Sequence, residues 1–349
     1  MTTRDSGCAT PLDDADIVRL YRQLLAPEAI QRYDRTGGWF DRYCGVIGQP
    51  GNGERLLRAI RNSLELDARP VAGLRVLEVG SGFGLTCLTL ALLGARSVDC
   101  LDSNAQMIQT MRGYLDDLPW TLPVTPTVGL AYELPYPDDH FDLVVTVEAI
   151  SHFLHPERCL AEAHRVLKPG GRYVIADDNN ALNPDAVAMT REVWERFENG
   201  PPTDDIHGHR IHEPYVERRR RLLQEAFPAL GEAQAARLAR RTAYMVRDEV
   251  IAAGRRYLHD GTLPDSRFQP DRCPVEPLSG HFMENLIDPL ALTGELEALG
   301  FRARPEAYFG GESRGGLLYA ANRLINGLLP PSLLFPRSGG FRIRAEKRA

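Results

Sequence analysis

Short apolar runs alternate with amphipathic stretches over residues 75–177 of the 349-residue chain. Apolar runs bounded by turn residues indicate strands, and apolar positions that recur every three or four residues indicate helices. The pattern predicts strands at 75–79, 97–102, 124–129, 141–147 and 172–177, and helices at 84–93, 104–116 and 156–167. This alternation is typical of an α/β fold in which right-handed crossovers join the strands of a parallel sheet. Ligands of such sheets bind beyond the carboxyl ends of the strands.

Helical periodicity dominates the sequence on either side of this region. Before it, apolar stripes predict one helix within 13–25 and a second around 56–64, separated by the aromatic, glycine-broken segment Tyr33–Tyr43. After it, the pattern predicts helices at about 184–198, 213–227 and 231–258, a polar loop at 199–214, a helix at 289–299 and two last strands at 301–309 and 341–347. An apolar insert, residues 310–340, separates those last two strands.

Composition indicates an ordinary soluble protein. Apolar residues make up 43% and charged residues 25%, while the net charge of −6 is not that of a nucleic-acid-binding chain. The basic run Arg218–Arg221 is expected to be the solvated face of a helix. The N-terminus shows no signal peptide, and no run of 18 apolar residues predicts a transmembrane helix. The cysteines form no C-x-x-C pair, so we expect reduced core thiols and a cytoplasmic protein; they lie at positions 8, 44, 87, 100, 159 and 273.

The glycine-rich stretch Val76–Gly84 leads from the first predicted strand into an apolar helix. Three glycines, at positions 80, 82 and 84, let the backbone approach a ligand closely because no Cβ intervenes. The dinucleotide-binding fingerprint G-x-G-x-x-G would require glycine at position 85, where the chain has Leu85. The spacing G-x-G-x-G, with Glu78 two residues before the first glycine, instead resembles motif I of class I S-adenosylmethionine-dependent methyltransferases.

Two further segments resemble the same family. Gly129–Asp142 is similar to the family segment that contacts the adenine and leads into the fourth strand, and Lys168–Gly171 is similar to the turn before the fifth strand. The resemblance covers about residues 70–180. It implies a Rossmann-like sheet of seven mostly parallel strands with an antiparallel last strand, a helical cap insertion, and S-adenosylmethionine as the cofactor.

The resemblance also implies a set of cofactor-binding residues: Glu78, Gly80, Ser81, Gly82, Gly84, Asp102, Ser103, Met107, Ala131, Tyr132 and Glu148. Asp102 would accept hydrogen bonds from the ribose diol, although it would equally serve as the N-cap of the next helix. Met107 would pack near the adenine or fill the core. Leu130 stands where the family usually has an acidic residue, so backbone groups of Ala131 and Tyr132, or the side chain of Glu133, would have to contact the adenine.

The chain is expected to have four regions. These are an N-terminal helical segment and candidate cofactor lid at 1–69, a cofactor-binding core at 70–180, a helical substrate cap at 181–288, and the last helix and strands at 289–349. The segment Tyr33–Tyr43 would form either this lid over the cofactor or a loop that packs on the core. Asn179, His207 and His209 are candidate substrate-binding residues. The spacing of His207, His209 and His212 fits neither a helix face nor a usual zinc pattern, so no metal site is predicted.

The expected reaction is transfer of the sulfonium methyl to a small molecule, most simply to a hydroxyl of a sugar, a lipid-linked compound or a secondary metabolite. An N-methyltransferase and a cofactor-binding protein without transferase activity are the alternatives. A hydroxyl acceptor needs a base, and His152, just past the fourth strand, is the first candidate, with a structural hydrogen bond as its alternative role. His281 is the rival candidate base.

Nucleic acid is not the expected substrate. Amino-methylating DNA enzymes carry a [D/N/S]-P-P-[Y/F/W] motif where this chain has Glu148–Ser151, and no cysteine follows a proline as in cytosine-C5 enzymes. The apolar insert 310–340 is interrupted by Asn322, Arg323 and prolines, which prevent membrane spanning. It would cover the substrate pocket, bury a homodimer interface or touch a lipid surface.

Overall fold

The computed structural model describes residues 11–207 and 209–348, which form two compact units. The first unit contains the described residues up to Ile150 together with 155–178 and 289–348, and the second contains Ser151–Leu154 and Asn179–Asp288. Cys8 and the N-terminal stretch without an evident signal peptide lie outside the described residues.

The helices of both units are numbered in chain order. They are α1 (Asp14–Leu24), α2 (Pro27–Tyr33), α3 (Trp39–Cys44), α4 (Asn52–Ser63), α5 (Leu85–Leu92), α6 (Ala105–Asp116), α7 (Pro156–Val166), α8 (Pro184–Asn199), α9 (Tyr215–Ala226), α10 (Glu232–Ala239), α11 (Arg247–Asp260), α12 (Pro289–Ala298), α13 (Gly311–Arg314), α14 (Gly316–Leu328) and α15 (Pro331–Leu334). The strands are β1 (Arg75–Val79), β2 (Ser97–Asp102), β3 (Val124–Val128), β4 (Phe141–Val147), β5 (Leu167–Asp177), β6 (Thr203–Ile206), β7 (His209–Ile211), β8 (Phe301–Tyr308) and β9 (Gly340–Lys347).

One sheet organises the first unit. Its strand order is β3–β2–β1–β4–β5–β9–β8. The first five strands in this order are parallel, and β9 runs antiparallel to both β5 and β8. This confirms the predicted Rossmann-like α/β fold with an antiparallel last strand. The predicted core elements agree closely with the observed ones, except that β5 begins earlier because Leu167 pairs with Phe141 ahead of the Lys168–Gly171 turn.

The register brings the carboxyl ends of the parallel strands to one edge. Val79 of β1 pairs with Leu101 of β2, and Asp102 pairs with Val128 of β3. Val76, Leu77 and Val79 are fully buried, because both faces of β1 are covered in a doubly wound sheet. Burial of β1 therefore fixes where the glycine turn begins.

The second unit is built from α8 to α11 and the hairpin of β6 and β7. The hairpin occupies part of the segment that was predicted to be a polar loop. One apolar cluster joins α8 to the hairpin through Phe197, Ile211 and Tyr215, among others. A second cluster joins α9, α10 and α11.

The prediction of a single helix at 231–258 is wrong. The chain leaves the helix after Ala239 and forms α11 only from Arg247. In between, the backbone of Ala243 donates to Ser266, and Tyr244 takes a left-handed φ of 64°. Tertiary pairing with residue 266 therefore overrides a helical pattern that is continuous in the sequence.

The basic run Arg218–Arg221 is not simply a solvated face. Arg219 is fully buried and forms an ion pair with the buried Glu198. The other three arginines pair with acidic side chains nearby, for example Arg218 with Glu276 at 2.6 Å. A buried guanidinium must be paired because an isolated buried charge is very costly.

Not all of the described cysteines are free thiols. Cys44, Cys159 and Cys273 are buried and free, as expected. The expectation is wrong for Cys87 and Cys100, which form a disulfide between α5 and β2. Their Cα atoms lie 6.4 Å apart, within the range that a disulfide can bridge. The sequence did not predict this pairing, because the two cysteines belong to different elements that only the fold brings together.

The apolar insert 310–340 forms α13, α14 and α15 within the first unit. Asn326 of α14 hydrogen-bonds both the N–H and the carbonyl of Ala307, so the helix is fixed along the edge strand β8. Among the described residues, no helix is long and apolar enough to cross a bilayer.

Candidate cofactor-binding site

The glycine turn connects β1 to α5 in a conformation that requires glycine. Gly80, Gly82 and Gly84 have φ values of 78°, 53° and 72°, which residues with a Cβ rarely adopt. The N–H groups of Gly80 and Ser81 donate to the carbonyl of Leu101, at 2.8 and 3.0 Å, which ties the turn to β2. A Cβ at Gly82 would meet no atom of the protein within 4 Å. The turn therefore has open space beside Gly82.

Asp102, at the end of β2, holds this turn with its carboxylate. One oxygen accepts the N–H of Gly82 at 2.8 Å, and the other accepts the N–H of Asn104 at 2.8 Å. The N-cap of α6 is Asn104, whose side chain accepts the N–H groups of Gln106 and Met107, so the alternative role of Asp102 as the helix cap is wrong. Each carboxylate oxygen can accept more than one hydrogen bond, so the side chain can still bind ligand hydroxyls.

Glu78 lies beneath the turn and is almost completely buried. Burial raises the pKa of its carboxyl to about 8, and the charge of Asp102 acts in the same direction. Hydrogen bonds from the backbone of Cys87 and the side chain of Thr86 oppose this shift in pKa. Both residues belong to the first turn of α5, so Glu78 satisfies one N–H group at the start of a helix whose N-cap, Gly84, has no side chain to do so.

The candidate adenine contacts lie after β2 and after β3. Met107 is half-buried and packs against the core cluster, while Ser103 is exposed. Ala131 is buried, and the half-buried ring of Tyr132 lies under the guanidinium of Arg158, whose carbon is 5.3 Å from the ring centroid. Glu133 is exposed.

Glu148 follows β4 with a left-handed φ of 49°. Its N–H donates to the carbonyl of Ala176, and its carboxylate accepts the N–H of Asp178 at 3.3 Å. A non-glycine residue in this conformation stores backbone strain, and such residues cluster at functional sites. Glu148 thus connects the ends of β4 and β5 at the edge where ligands bind in this fold.

Aromatic side chains outside the predicted set of cofactor-binding residues pack against the glycine turn. Phe40 of α3 is fully buried and packs on Phe83, with ring centroids 5.0 Å apart, and stacks on Tyr114. The hydroxyl of Tyr114 donates to the carbonyl of Phe83 at 2.6 Å. The segment Tyr33–Tyr43 is therefore packed on the core at Phe40. The aromatic residue inside the glycine motif was the signal that could have revealed this.

The candidate catalytic residues His152 and His281 belong to the second unit. His152 ends a short 3-10 turn, Ile150–His152, and its Nδ1 lies 3.3 Å from the carbonyl oxygen of Phe282. A carbonyl only accepts hydrogen bonds, so Nδ1 carries the proton and Nε2 holds the free lone pair of the neutral ring. His281 is half-buried, and its carbonyl accepts the N–H of Glu276.

The candidate substrate residues are distributed over the second unit. The carbonyl of Asn179 accepts the N–H of Ile287. His207 lies 3.1 Å from Glu192, whereas His209 lies 3.7 Å from Glu284. Within residues 11–207 and 209–348, no group of three His, Cys, Asp or Glu side chains is arranged to hold a metal ion.

Residues 77–175 match the family model described as a methyltransferase domain. They form a class I methyltransferase domain. The cofactor of this family is S-adenosylmethionine. The matched segment runs from β1 into β5 and includes the proposed cofactor-binding residues from Glu78 to Glu148. Asn179, His207, His209 and His281 lie outside it.

Curated relatives resemble the chain over the same domain. A ubiquinone biosynthesis O-methyltransferase of Maricaulis maris is 33% identical over 129 residues, which cover 36% of this chain and 49% of the relative. A ubiquinone/menaquinone biosynthesis C-methyltransferase of Psychromonas ingrahamii is 34% identical over 112 residues, which cover 32% of this chain and 45% of the relative. The chain thus spans less than half the length of each of these relatives.

The chain also resembles a solved S-adenosylmethionine-dependent methyltransferase from Mesorhizobium loti. The match covers 85% of this chain and 100% of the other chain. The TM-score is 0.45 and the identity 17%. This likeness adds nothing to the fold established by the strand order of the methyltransferase domain.

Proposed function

We propose that the chain is an S-adenosylmethionine-dependent methyltransferase that methylates a hydroxyl group of a small molecule. The observation that carries the proposal is the glycine turn, with open space beside Gly82 and a carboxylate anchor at Asp102, within a methyltransferase domain. Because Gly82 leaves the turn uncovered, the backbone can approach a ligand there.

The residues present fit the cofactor. Asp102 would bind the ribose hydroxyls, because its oxygens retain acceptor capacity beyond the two backbone N–H groups that they already hold. Gly80, Ser81, Gly82 and Gly84 would bind the methionine part. Met107 and Tyr132 would flank the adenine, with backbone groups of Ala131 taking the role of the missing acidic side chain at Leu130. Bound S-adenosylmethionine supplies the electrophilic methyl group.

The relatives support a small-molecule acceptor. One carries the name of an O-methyltransferase, and this supports a hydroxyl nucleophile. Transfer of the methyl forms a carbon–oxygen bond and breaks the carbon–sulfur bond, and the hydroxyl proton must go to a base. His152 would accept that proton at Nε2, because its Nδ1 already donates to Phe282.

We also propose residues 181–288 as the part of the chain that recognises the acceptor, with Asn179, His207 and His209 as contacts.

Carbon methylation is the second candidate, because another relative is named a C-methyltransferase. A carbon acceptor also loses a proton, so product identification is needed to distinguish the two reactions. Methyl-labelled cofactor, incubated with the protein and quinol, sugar and lipid extracts, would give a labelled product whose new bond identifies the acceptor atom. Binding of S-adenosylhomocysteine without any labelled product would instead support a cofactor-binding protein that lacks transferase activity.

The role of His152 is tested by alanine substitution on the identified acceptor. His152→Ala should lower kcat by roughly 10²- to 10⁴-fold, the usual contribution of a positioned base, with little change in S-adenosylhomocysteine affinity. His259→Ala is the matched control, since His259 is an exposed histidine of the same unit. If His281→Ala is slow while His152→Ala is not, the base is His281. If neither variant is slow, an amine acceptor that needs no base becomes the better proposal.

A further inference from the structure

Helix α14 presents its two asparagines to the protein and its leucines to solvent. Asn322 is buried and donates to Glu312 at 3.1 Å. Asn326 donates to the carbonyl of Ala307 at 2.9 Å and accepts the N–H of the same residue at 2.8 Å. Asparagines four residues apart lie on one face of a helix, so this polar face attaches α14 to the edge of the sheet.

The opposite face of α14 is apolar. Leu317, Leu324 and Leu328 are 89%, 62% and 71% exposed, and their spacing of seven and four residues puts them on one side of the helix. Leu329 and Leu333, just beyond the helix, are exposed as well. We call these five leucines the α14 apolar face. Single exposed leucines are ordinary, but five within one short segment mark a candidate interaction surface.

Cationic side chains accompany this face. The charged residues of the insert 310–340 are Glu312, Arg314, Arg323 and Arg337. Glu312 is buried, whereas the three arginines are exposed. One of them, Arg323, lies 3.5 Å from Glu65 and still exposes half of its side chain. The solvent-facing charge of the insert is therefore entirely positive.

The positive charge distinguishes between two possible partners of the α14 apolar face, a second copy of the chain and a lipid surface. A two-fold interface brings the same patch of two copies together, so the arginines of one insert would find no exposed acidic side chain on the other insert. A lipid surface with anionic headgroups would instead accept the leucines at its acyl boundary and attract the guanidinium groups. Within α14 the single charged residue is Arg323, so the helix combines exposed leucines with basic charge, a combination that interfacial helices use.

We propose that the α14 apolar face docks on the surface of a bilayer that contains anionic lipids. The five leucines enter the interface, and Arg314, Arg323 and Arg337 interact with headgroup phosphates. The inference is independent of the proposed methyl transfer, because it concerns a surface of α14 and its measurement needs neither cofactor nor acceptor.

Vesicle flotation of the purified full chain tests the proposal, with vesicles of phosphatidylcholine alone and of phosphatidylcholine with phosphatidylglycerol. The wild-type protein should float with the anionic vesicles and much less with the neutral ones. Leu324→Glu combined with Leu328→Glu should reduce flotation by about tenfold or more, because two charges replace inserted apolar side chains. Both positions are exposed, so the fold should be retained, as circular dichroism would verify.

Two controls make the outcome specific. Leu258→Glu changes a similarly exposed leucine of α11 and should leave flotation unchanged. Arg314→Gln combined with Arg337→Gln should remove the preference for anionic vesicles. The proposal is wrong if the wild-type protein does not float with anionic vesicles, or if the double glutamate variant floats as well as wild type. It is also wrong if sedimentation velocity shows a wild-type dimer that the same variant converts to a monomer without any vesicle binding.

Discussion

Asp102 links the two strand ends on which the proposed cofactor site depends. Its carboxylate accepts one N–H from the glycine turn and one from the start of the chain leading into α6. Asp102→Ala should therefore weaken S-adenosylhomocysteine binding by about 1–3 kcal/mol, through lost hydrogen bonds to a charged group. Titration calorimetry measures the effect.

Asn104→Ala is the matched control for Asp102. It removes the N-cap of α6, which costs about 1 kcal/mol of stability, but leaves the carboxylate in place. Both variants should lose stability, while only Asp102→Ala should lose much affinity. Unchanged affinity in a folded Asp102→Ala protein would show that this side chain only supports the turn.

Gly82 borders open space in the turn that we propose as part of the cofactor site. Gly82→Val puts a branched side chain into the open region beside the turn, at a φ of 53°. We expect S-adenosylhomocysteine binding to be lost while circular dichroism stays near wild type. Gly73→Val is the matched control, because Gly73 also has a positive φ, of 78°, and open space but precedes β1. Equal binding by the two variants would refute the placement of the cofactor at the turn.

At the scale of elements, the sequence predicted the strands and helices whose formation depends on burying their own apolar side chains. The parallel strands and their crossover helices were predicted closely, because apolar side chains such as Val76, Leu77 and Val79 are the ones that the sheet buries. Elements determined by distant contacts were missed or wrong. The break between α10 and α11 depends on the backbone of Ala243 pairing with Ser266, and nothing local in the sequence indicates it.

The candidate site shows the same division. The glycine turn and Asp102 could be located from the sequence. The positive φ values of the turn require glycine, and Asp102 follows directly from the position at which β2 ends. The assignment of the α6 cap to Asn104 rather than to Asp102 could not be predicted, since both residue types cap helices equally well. The packing of Phe40 on Phe83 joins residues far apart in the chain and has no sequence period.

At the scale of the whole molecule, Glu78 couples the stability of the fold to pH. Its pKa in the folded protein is about 8, above the ordinary value of 4.5, because the carboxyl is buried. Between these two pH values the folded state binds more protons than the unfolded state. The free energy of unfolding therefore falls as pH rises through this window, and the loss is complete above about pH 8.

Glu78→Gln should remove this loss, because an amide cannot ionise. Urea unfolding from pH 5 to pH 9 should show that the variant gains stability relative to wild type as pH rises, by up to a few kcal/mol. Glu297→Gln, at an exposed position of α12, should follow wild type throughout. The difference between Glu78→Gln and wild type is the decisive quantity, since other groups titrate equally in both. A difference that stays constant across the whole range would mean that Glu78 is already ionised at pH 5 in the folded protein.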